Sequence, residues 1–198
     1  MSLPGVLGIG LKTIPSSPSY LQADSVLSAS WKQRLGPTGF KIGVCWQGNP
    51  QGSIDQGRSF ALQSLAGVAA LPGARLISLQ MTHGLDQIAA LPAGLKVETL
   101  GDDFDTGPDA FLDSAAVMAN LDLVITCDTS IAHLAGALGV PVWVALKHVP
   151  DWRWMLERTD NPWYPSMKLY RQTARGDWAG VFARIARDVD ELTRQARD

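Results

Sequence analysis

The segment with the clearest chemical potential is Asp128-Thr129-Ser130, which follows an apolar run and opens a predicted helix. Free backbone amides and the positive end of the helix dipole attract anions at such a position. The hydroxyls of Thr129 and Ser130 would add hydrogen bonds to a phosphate, and His133 lies one turn further on. An ordinary helix cap, with a half-buried His133 beside it, explains the same residues equally well. The pattern alone leaves both interpretations open.

A second candidate is the loop at residues 46–50 (Trp-Gln-Gly-Asn-Pro), which follows the first predicted strand. Gly48 permits a ligand to approach the backbone closely, and the Asn49-Pro pair turns the chain outward. Arg58, just before the next helix, is suited to pair with a diphosphate. The spacing matches neither standard phosphate-binding fingerprint, and taken alone the loop is more typical of a flexible connection with a solvated Arg58.

Three weaker groups of residues follow other predicted strands. Gln80 and the three residues after it lie at the sheet edge where a ribose or phosphate would bind, and residues 100–104 follow the strand where a base commonly lies. Residues 150–154 and 161–165 hold tryptophans and a tyrosine, which suit stacking on a base or sugar or, more simply, the packing of a long loop. The carboxylates at residues 102–109 lack calcium-loop spacing, so no metal site is expected there.

The elements that must position these residues alternate between short apolar strands and helices. Strands are predicted at residues 41–46, 75–79, 96–99, 123–126, 142–146 and, less distinctly, 168–171, and helices at 62–70, 84–91, 111–121, 130–138 and 178–195. Apolar strands separated by helices indicate a parallel sheet covered on both faces. The predicted fold class is therefore α/β, a doubly wound Rossmann-like parallel sheet that binds its ligand at the carboxyl ends of the strands.

The beginning of the chain has a different character. Residues 13–20 are rich in Pro and Ser and predict an extended segment, and a short helix is expected at about residues 23–35. We therefore expect an extended or linker segment at residues 1–40, the remnant of a preceding domain, and a Rossmann-like domain at residues 41–198.

Composition excludes several classes of protein. The chain has 198 residues, a formal net charge of −2 and 46% apolar residues, which suits one globular domain and not an intrinsically disordered chain. The near-neutral charge argues against a nucleic-acid partner. No apolar run reaches the ~20 residues of a membrane-spanning helix. Cys45 and Cys127 lie in apolar runs, which predicts reduced core thiols in a cytoplasmic protein.

Together these segments resemble a known family. Residues 46–50, the Arg58-Ser59 helix entry, residues 128–143 and residues 150–154 are similar to the carboxyl-terminal part of bacterial tetratricopeptide-repeat proteins. That part is similar to glycosyltransferase family 9, the lipopolysaccharide heptosyltransferases, and more distantly to the O-linked N-acetylglucosamine transferases. The resemblance implies the donor-binding half of a GT-B fold, in which two Rossmann-like domains face each other across a cleft.

The resemblance also implies roles for individual residues. The Asp-Thr-Ser segment would cradle the diphosphate of a nucleotide-sugar donor, and Arg58 would neutralise the leaving diphosphate. No metal cofactor is implied, because the helix dipole and the cation stabilise that charge. With the strand-end positions above, the candidate donor-binding residues are Gln47, Gly48, Asn49, Arg58, Gln80, Asp128, Thr129, Ser130 and His133.

A complete GT-B enzyme has a second Rossmann-like domain, which supplies the acceptor site and usually the general base. Only residues 1–40 precede the donor-type domain here, without repeat helices, so we expect a fragment or half-enzyme that does not catalyse transfer alone. The alternative is a degenerate Rossmann module that acts as an interaction domain of a repeat protein, with the tryptophan-rich loop as its contact surface. An epimerase-like relative is a weaker third interpretation. The sequence does not identify the base, the sugar or the acceptor.

Overall fold

A six-stranded parallel sheet forms the centre of the protein, in a computed structural model that describes residues 3–52 and 56–195. The strands are β1 (Phe40–Cys45), β2 (Ala74–Ser78), β3 (Val97–Glu98), β4 (Leu123–Cys127), β5 (Val142–Leu146) and β6 (Met167–Arg171). Their order across the sheet is β3-β2-β1-β4-β5-β6. The order reverses between β1 and β4, where a doubly wound sheet opens a crevice at its carboxyl edge. The predicted fold class is confirmed.

Both faces of the sheet are covered, which explains why its strands lack polar alternation. On one face Val44 and Ile125 pack with Ile185 of the last helix. On the other face Val124 packs in a cluster that includes Trp31. The central strands β4 and β5 are buried at every position, as strands between two layers of helices must be.

The helices are α1 (Leu3–Val6), α2 (Ser25–Leu35), α3 (Ala66–Ala69), α4 (Asp86–Ala89), α5 (Leu112–Met118), α6 (Ser130–Leu138) and α7 (Trp178–Gln195). α6 and α7 have the predicted bounds. The helix predicted at residues 62–70 instead begins as a 3₁₀ turn, Leu62–Leu65, which places two fully buried leucines on one side. None of the helices in the described part of the chain combines the length and apolar character needed to cross a bilayer.

The segment before β1 packs onto the sheet domain. Trp31 of α2 is 4% exposed, and its indole Nε1 donates a hydrogen bond to the Asp113 carboxylate of α5 at 2.6 Å. Upstream, the amides of Tyr20 and Leu21 both donate to the carbonyl of Ala137 in α6. Trp31 and Leu35 of α2 therefore belong to the core of the domain, and a domain boundary near residue 40 stays a prediction.

The tryptophan-rich loop after β5 has two different roles. Trp154 is 1% exposed, and Arg171 of β6 donates a hydrogen bond to its carbonyl at 2.9 Å. Trp152 is 68% exposed and meets Trp163 edge-on, with ring centroids 6.2 Å apart. The packing interpretation is therefore correct for Trp154, whereas Trp152 presents most of its indole to solvent.

Candidate functional site

A pocket of about 400 Å³ opens at the carboxyl ends of β1, β2 and β4, where the strand order reverses. It brings together the loop after β1, the residues after β2 and the first turn of α6, which are far apart in the sequence. The predicted site residues that line it are Gln47, Gly48, Asn49, Arg58, Gln80, Thr129 and Ser130. Asp128 and His133 lie outside its described lining.

The first turn of α6 presents backbone donors at this pocket. Thr129 occupies the N-cap position, but its hydroxyl does not cap the helix and lies 3.2 Å from the hydroxyl of Thr126. Among the described residues, none accepts a hydrogen bond from the amides of Ser130 and Ile131. Both of these residues line the pocket. Helix N-terminal amides without a protein acceptor are suited to bind an anion.

Gln80 fixes the backbone of the loop after β1. Its side chain is 9% exposed, and its Oε1 accepts hydrogen bonds from the amides of Trp46 (3.1 Å) and Gln47 (3.0 Å). Its Nε2 donates to the carbonyl of Gln47 at 2.8 Å, and the Cys45 thiol contacts Oε1 at 3.4 Å. Gln80 therefore lines the pocket while its polar atoms hold the loop in place.

The loop itself is a hydrogen-bonded turn. The Gln47 Oε1 accepts a hydrogen bond from Gln87 Nε2 at 2.9 Å, which ties the loop to α4. The Gly48 amide donates to the Ser59 hydroxyl at 3.0 Å. The side chain of Asn49 accepts from the amide two residues further on, also at 3.0 Å. Gly48 is buried in the turn, so a ligand in the pocket meets backbone there rather than a side chain.

Arg58 brings a positive charge to the same pocket, where it is half-buried. Burial raises the pKa of the Cys45 thiol, and the charge of Arg58 acts in the opposite direction, so the two side chains lie near each other. Cys45 and Cys127 are both buried thiols that form no disulfide, as expected. The Cys45 Sγ lies 3.8 Å from the Thr129 hydroxyl. The cation and the first turn of α6 thus belong to one site.

His133 connects α6 to the tryptophan-rich loop. Its ring stacks on Trp154 with centroids 5.2 Å apart, and its Nδ1 lies 3.2 Å from the hydroxyl of Tyr164. Burial lowers the pKa of His133, and the negative charge of the half-buried Asp128 opposes that effect. The position one turn into α6 therefore directs His133 toward packing contacts, while Ser130 faces the pocket.

One wall of the pocket was predicted only in part, through the residues after β2. It is formed by Met81 and Phe111, which are 39% and 42% exposed, with His83 and Asp105 beside them. Phe111 has a φ of +70°, which turns the chain into α5. Residues 81–83 had only a weak signal, as strand-end positions. No sequence signal pointed to Phe111, because the path of the loop before α5 depends on contacts between residues distant in sequence.

The acidic loop at residues 102–109 is partly structural. The Asp105 carboxylate accepts a hydrogen bond from the amide of Asp113 at 2.9 Å and holds the first turn of α5. Leu100 and Phe104, in the segment where a base was expected, are 8% and 5% exposed and belong to the core. Within residues 3–52 and 56–195, no group of three His, Cys, Asp or Glu side chains converges to hold a metal ion.

Sequence comparison finds a curated relative that this chain matches over part of the relative's length. No protein-family model matches the chain. FlbA from Caulobacter vibrioides is 31% identical over 182 residues, which cover 88% of this chain and 29% of FlbA. The chain therefore spans less than a third of that relative.

Solved structures of glycosyltransferases share the architecture. The Escherichia coli ADP-heptose lipopolysaccharide heptosyltransferase II superimposes with a TM-score of 0.66 at 16% identity, over 94% of this chain and 57% of that one. A family 9 glycosyl transferase from Veillonella parvula gives 0.58 at 15% identity, over 84% and 46%. Anabaena HepE, in complex with UDP and glucose, gives 0.51 at 18%, over 87% and 45%. The chain has the Rossmann-like fold of these enzymes. It spans about half of each.

Proposed function

We propose that the chain is the donor-binding half of a GT-B glycosyltransferase and that its pocket holds the diphosphate of a nucleotide sugar. The observation that carries the proposal is the open pocket at the switch point, where the unpaired amides of Ser130 and Ile131 lie with Arg58. A degenerate module would be expected to fill this cleft with side chains such as Trp152, which lies outside the described lining.

Each group around the pocket has a defined task in this proposal. The amides of Ser130 and Ile131 and the hydroxyls of Thr129 and Ser130 donate to diphosphate oxygens, and Arg58 supplies the positive charge. During transfer, an acceptor hydroxyl bonds to the anomeric carbon and gives its proton to the general base, while the bond from that carbon to the β-phosphate oxygen breaks. The nucleoside diphosphate leaves with the negative charge on that oxygen. The same donors stabilise that charge, so we infer that donor binding needs no metal and survives a chelator.

The pocket wall formed by Met81 and Phe111 suits the nucleoside part of the donor. Met81 and Phe111 offer apolar surface for a base, and His83 adds a polar group at the same side. Asp105 is already bound to the first turn of α5. HepE was solved with UDP and glucose, which is compatible with a nucleotide in such a pocket. We leave the identity of the base and the sugar to direct measurement.

The rest of the enzyme would lie outside this chain. Because the chain matches 57% of heptosyltransferase II and 29% of FlbA, we infer that the parent protein has a second Rossmann-like half. That half would supply the acceptor site and the general base. The sequence resemblance adds tetratricopeptide repeats and a distant similarity to O-linked N-acetylglucosamine transferases to the proposed parent. The two buried cysteine thiols favour a cytoplasmic location. This chain alone would then bind the donor without transferring its sugar.

A second candidate function, a protein-interaction module, is favoured by one surface. Val149, Trp152 and Leu156, in the loop after β5, are 55%, 68% and 63% exposed. Exposed aromatic and aliphatic residues in one loop are typical of contact surfaces. This surface lies outside the described lining of the donor pocket, so both functions are compatible with one molecule.

A thermal-shift screen with UDP, GDP, ADP and CDP, with and without EDTA, tests the main proposal. A nucleotide at 100 times its dissociation constant should stabilise the fold by about 2.7 kcal/mol. Arg58→Ala should abolish most of that shift, whereas the matched control Arg194→Ala, 72% exposed near the end of α7, should keep it. If none of the four nucleotides raises the melting temperature, donor binding is overturned and the interaction module remains as the candidate function.

A further inference from the structure

A second pocket, of about 420 Å³, lies at the carboxyl ends of β5 and β6 beside the beginning of α7. Residues 56 and 57 line it, whereas the next residue, Arg58, lines the donor pocket. The two pockets therefore lie on either side of one stretch of chain. The proposed donor chemistry does not use this second pocket.

Gln172, the residue after β6, is a buried residue in the lining of this pocket. The residue is 4% exposed, and its Oε1 accepts hydrogen bonds from the amides of His148 (3.2 Å) and Gly176 (3.0 Å). Because amides only donate, these contacts identify the oxygen and leave Nε2 as the donor. No described residue accepts a hydrogen bond from that Nε2. A ligand acceptor in the pocket would satisfy it.

Two other side chains of the lining, Lys147 and Arg175, carry positive charge, and Gln56 and His148 add uncharged polar groups. The Lys147 Nζ donates one hydrogen bond to the carbonyl of Gln56 at 3.0 Å, which leaves two N–H groups for a ligand. The Arg175 guanidinium is exposed at the rim. No carboxylate occurs among the described residues that line the pocket. This set of donors is complementary to an anion that carries several acceptor oxygens.

The remaining wall of the pocket is aromatic. At the N-terminus of α7, a protein side chain already accepts a backbone hydrogen bond. The amide of Gly180 in the first turn of α7 donates to the Asp177 carboxylate at 2.8 Å, so the pocket's donors are side chains rather than the helix N-terminus. Trp178 is half-buried against Phe60, with ring centroids 5.8 Å apart, and lines the pocket. A flat apolar surface beside polar donors, in a pocket of this size, suits a sugar ring better than a bare inorganic ion.

We propose that this pocket binds an anionic sugar, which carries a carboxylate or a phosphate, at a site separate from the donor pocket. Lys147 and Arg175 bind the anionic group, the Gln172 Nε2 donates to a ring or hydroxyl oxygen, and the ring packs on Trp178. The proposal and the proposed function use different residues, so each can fail while the other stands.

Isothermal titration with glucuronate, glucose 6-phosphate, glucose and inorganic phosphate tests this site on the whole chain. We expect saturable binding of at least one anionic sugar, and which of the two binds more tightly distinguishes a carboxylate from a phosphate ligand. The Lys147→Ala/Arg175→Ala double variant should lose at least about tenfold in affinity. Gln172→Glu keeps an oxygen for the two amides but replaces the donor with a negative charge, and should lose as much. Arg194→Ala should bind like the original chain.

Four outcomes would overturn the proposal: no saturable binding of either anionic sugar, equal affinity for glucose, equal affinity for inorganic phosphate, or unchanged affinity in the double variant. Lys147 and Arg175 lie at the surface rather than in the core, so their replacement should leave the fold intact.

A competition experiment distinguishes the two sites. Saturating UDP or ADP should leave the sugar affinity unchanged, and displacement of the sugar would place it in the donor pocket instead.

Discussion

The side chain of Gln80 and the backbone of Gln47 form a reciprocal pair of hydrogen bonds. The Gln47 amide donates to the Gln80 Oε1 at 3.0 Å, and the Gln80 Nε2 donates to the Gln47 carbonyl at 2.8 Å. A residue at the end of β2 thereby completes, for the loop after β1, the pairing that a neighbouring strand would provide. The loop keeps a fixed shape beyond the end of the sheet, as a preorganised binding site requires.

We expect Gln80→Ala to destabilise the fold by about 2 kcal/mol, because it leaves the buried amides of Trp46 and Gln47 without acceptors. Urea unfolding followed by tryptophan fluorescence measures the change. Gln63→Ala is the matched control, since Gln63 is exposed on the opposite side of the 3₁₀ turn from its leucines, and should stay within about 0.5 kcal/mol. Equal free energies of unfolding for the two variants would contradict the role of Gln80.

Ser130→Pro tests the backbone donor directly. Proline is well tolerated at the first position of a helix, and Thr129, with φ −137° and ψ 175°, has the extended backbone that precedes proline. The variant removes the Ser130 N–H, so we expect nucleoside diphosphate affinity to fall about tenfold with little change in stability. Ser130→Ala removes only the hydroxyl and should lose less. If titration finds the two variants equal, this amide does not contact the ligand.

Local sequence patterns determined most of the fold. α6 begins and ends at the predicted residues: Thr129 before it has an extended backbone, and Gly139 ends it with a φ of +75°, a conformation that favours glycine. β3, at one edge of the sheet, has two residues rather than the predicted four, whereas β6 at the other edge has five. The hydrogen bond between Trp31 and Asp113 joins residues 82 apart in sequence, and no local pattern indicates it.

The candidate site was predictable to the extent that it follows from sheet topology. Parallel strands end at one edge, so the residues after β1, β2 and β4 were expected to meet, and they line one pocket. The contribution of Phe111 depends on the route of a long loop, which tertiary packing decides. The direction of the His133 side chain likewise depends on Trp154, which comes from a different loop.

We expect the stability of the protein to fall in mild acid because of His133. Burial lowers its pKa below 6.5, so below that value the unfolded chain binds a proton that the folded chain does not. The stabilisation is fully present above pH 6.5 and is lost as the pH falls from there. His133→Gln keeps a polar partner for Tyr164 without titrating, so its unfolding free energy should depend less on pH as the pH falls below 6.5. Parallel curves for both proteins would exclude His133 as the cause.

Asp188 of α7 provides a second test of pH dependence, at lower pH. Its side chain is 15% exposed, and although burial raises its pKa, hydrogen bonds from Lys168, Tyr170 and Arg187 lower the pKa to about 2. Asp188→Asn should therefore lose about 1.5–3 kcal/mol at pH 7. The difference from the original chain should shrink as the pH falls from 3.8, where the unfolded carboxyl titrates, toward 2. Asp190→Asn, which removes an ion pair within the same helix, should cost less than about 0.5 kcal/mol. A loss for Asp188→Asn that is independent of pH in urea unfolding would show that packing, and not the charge, is responsible.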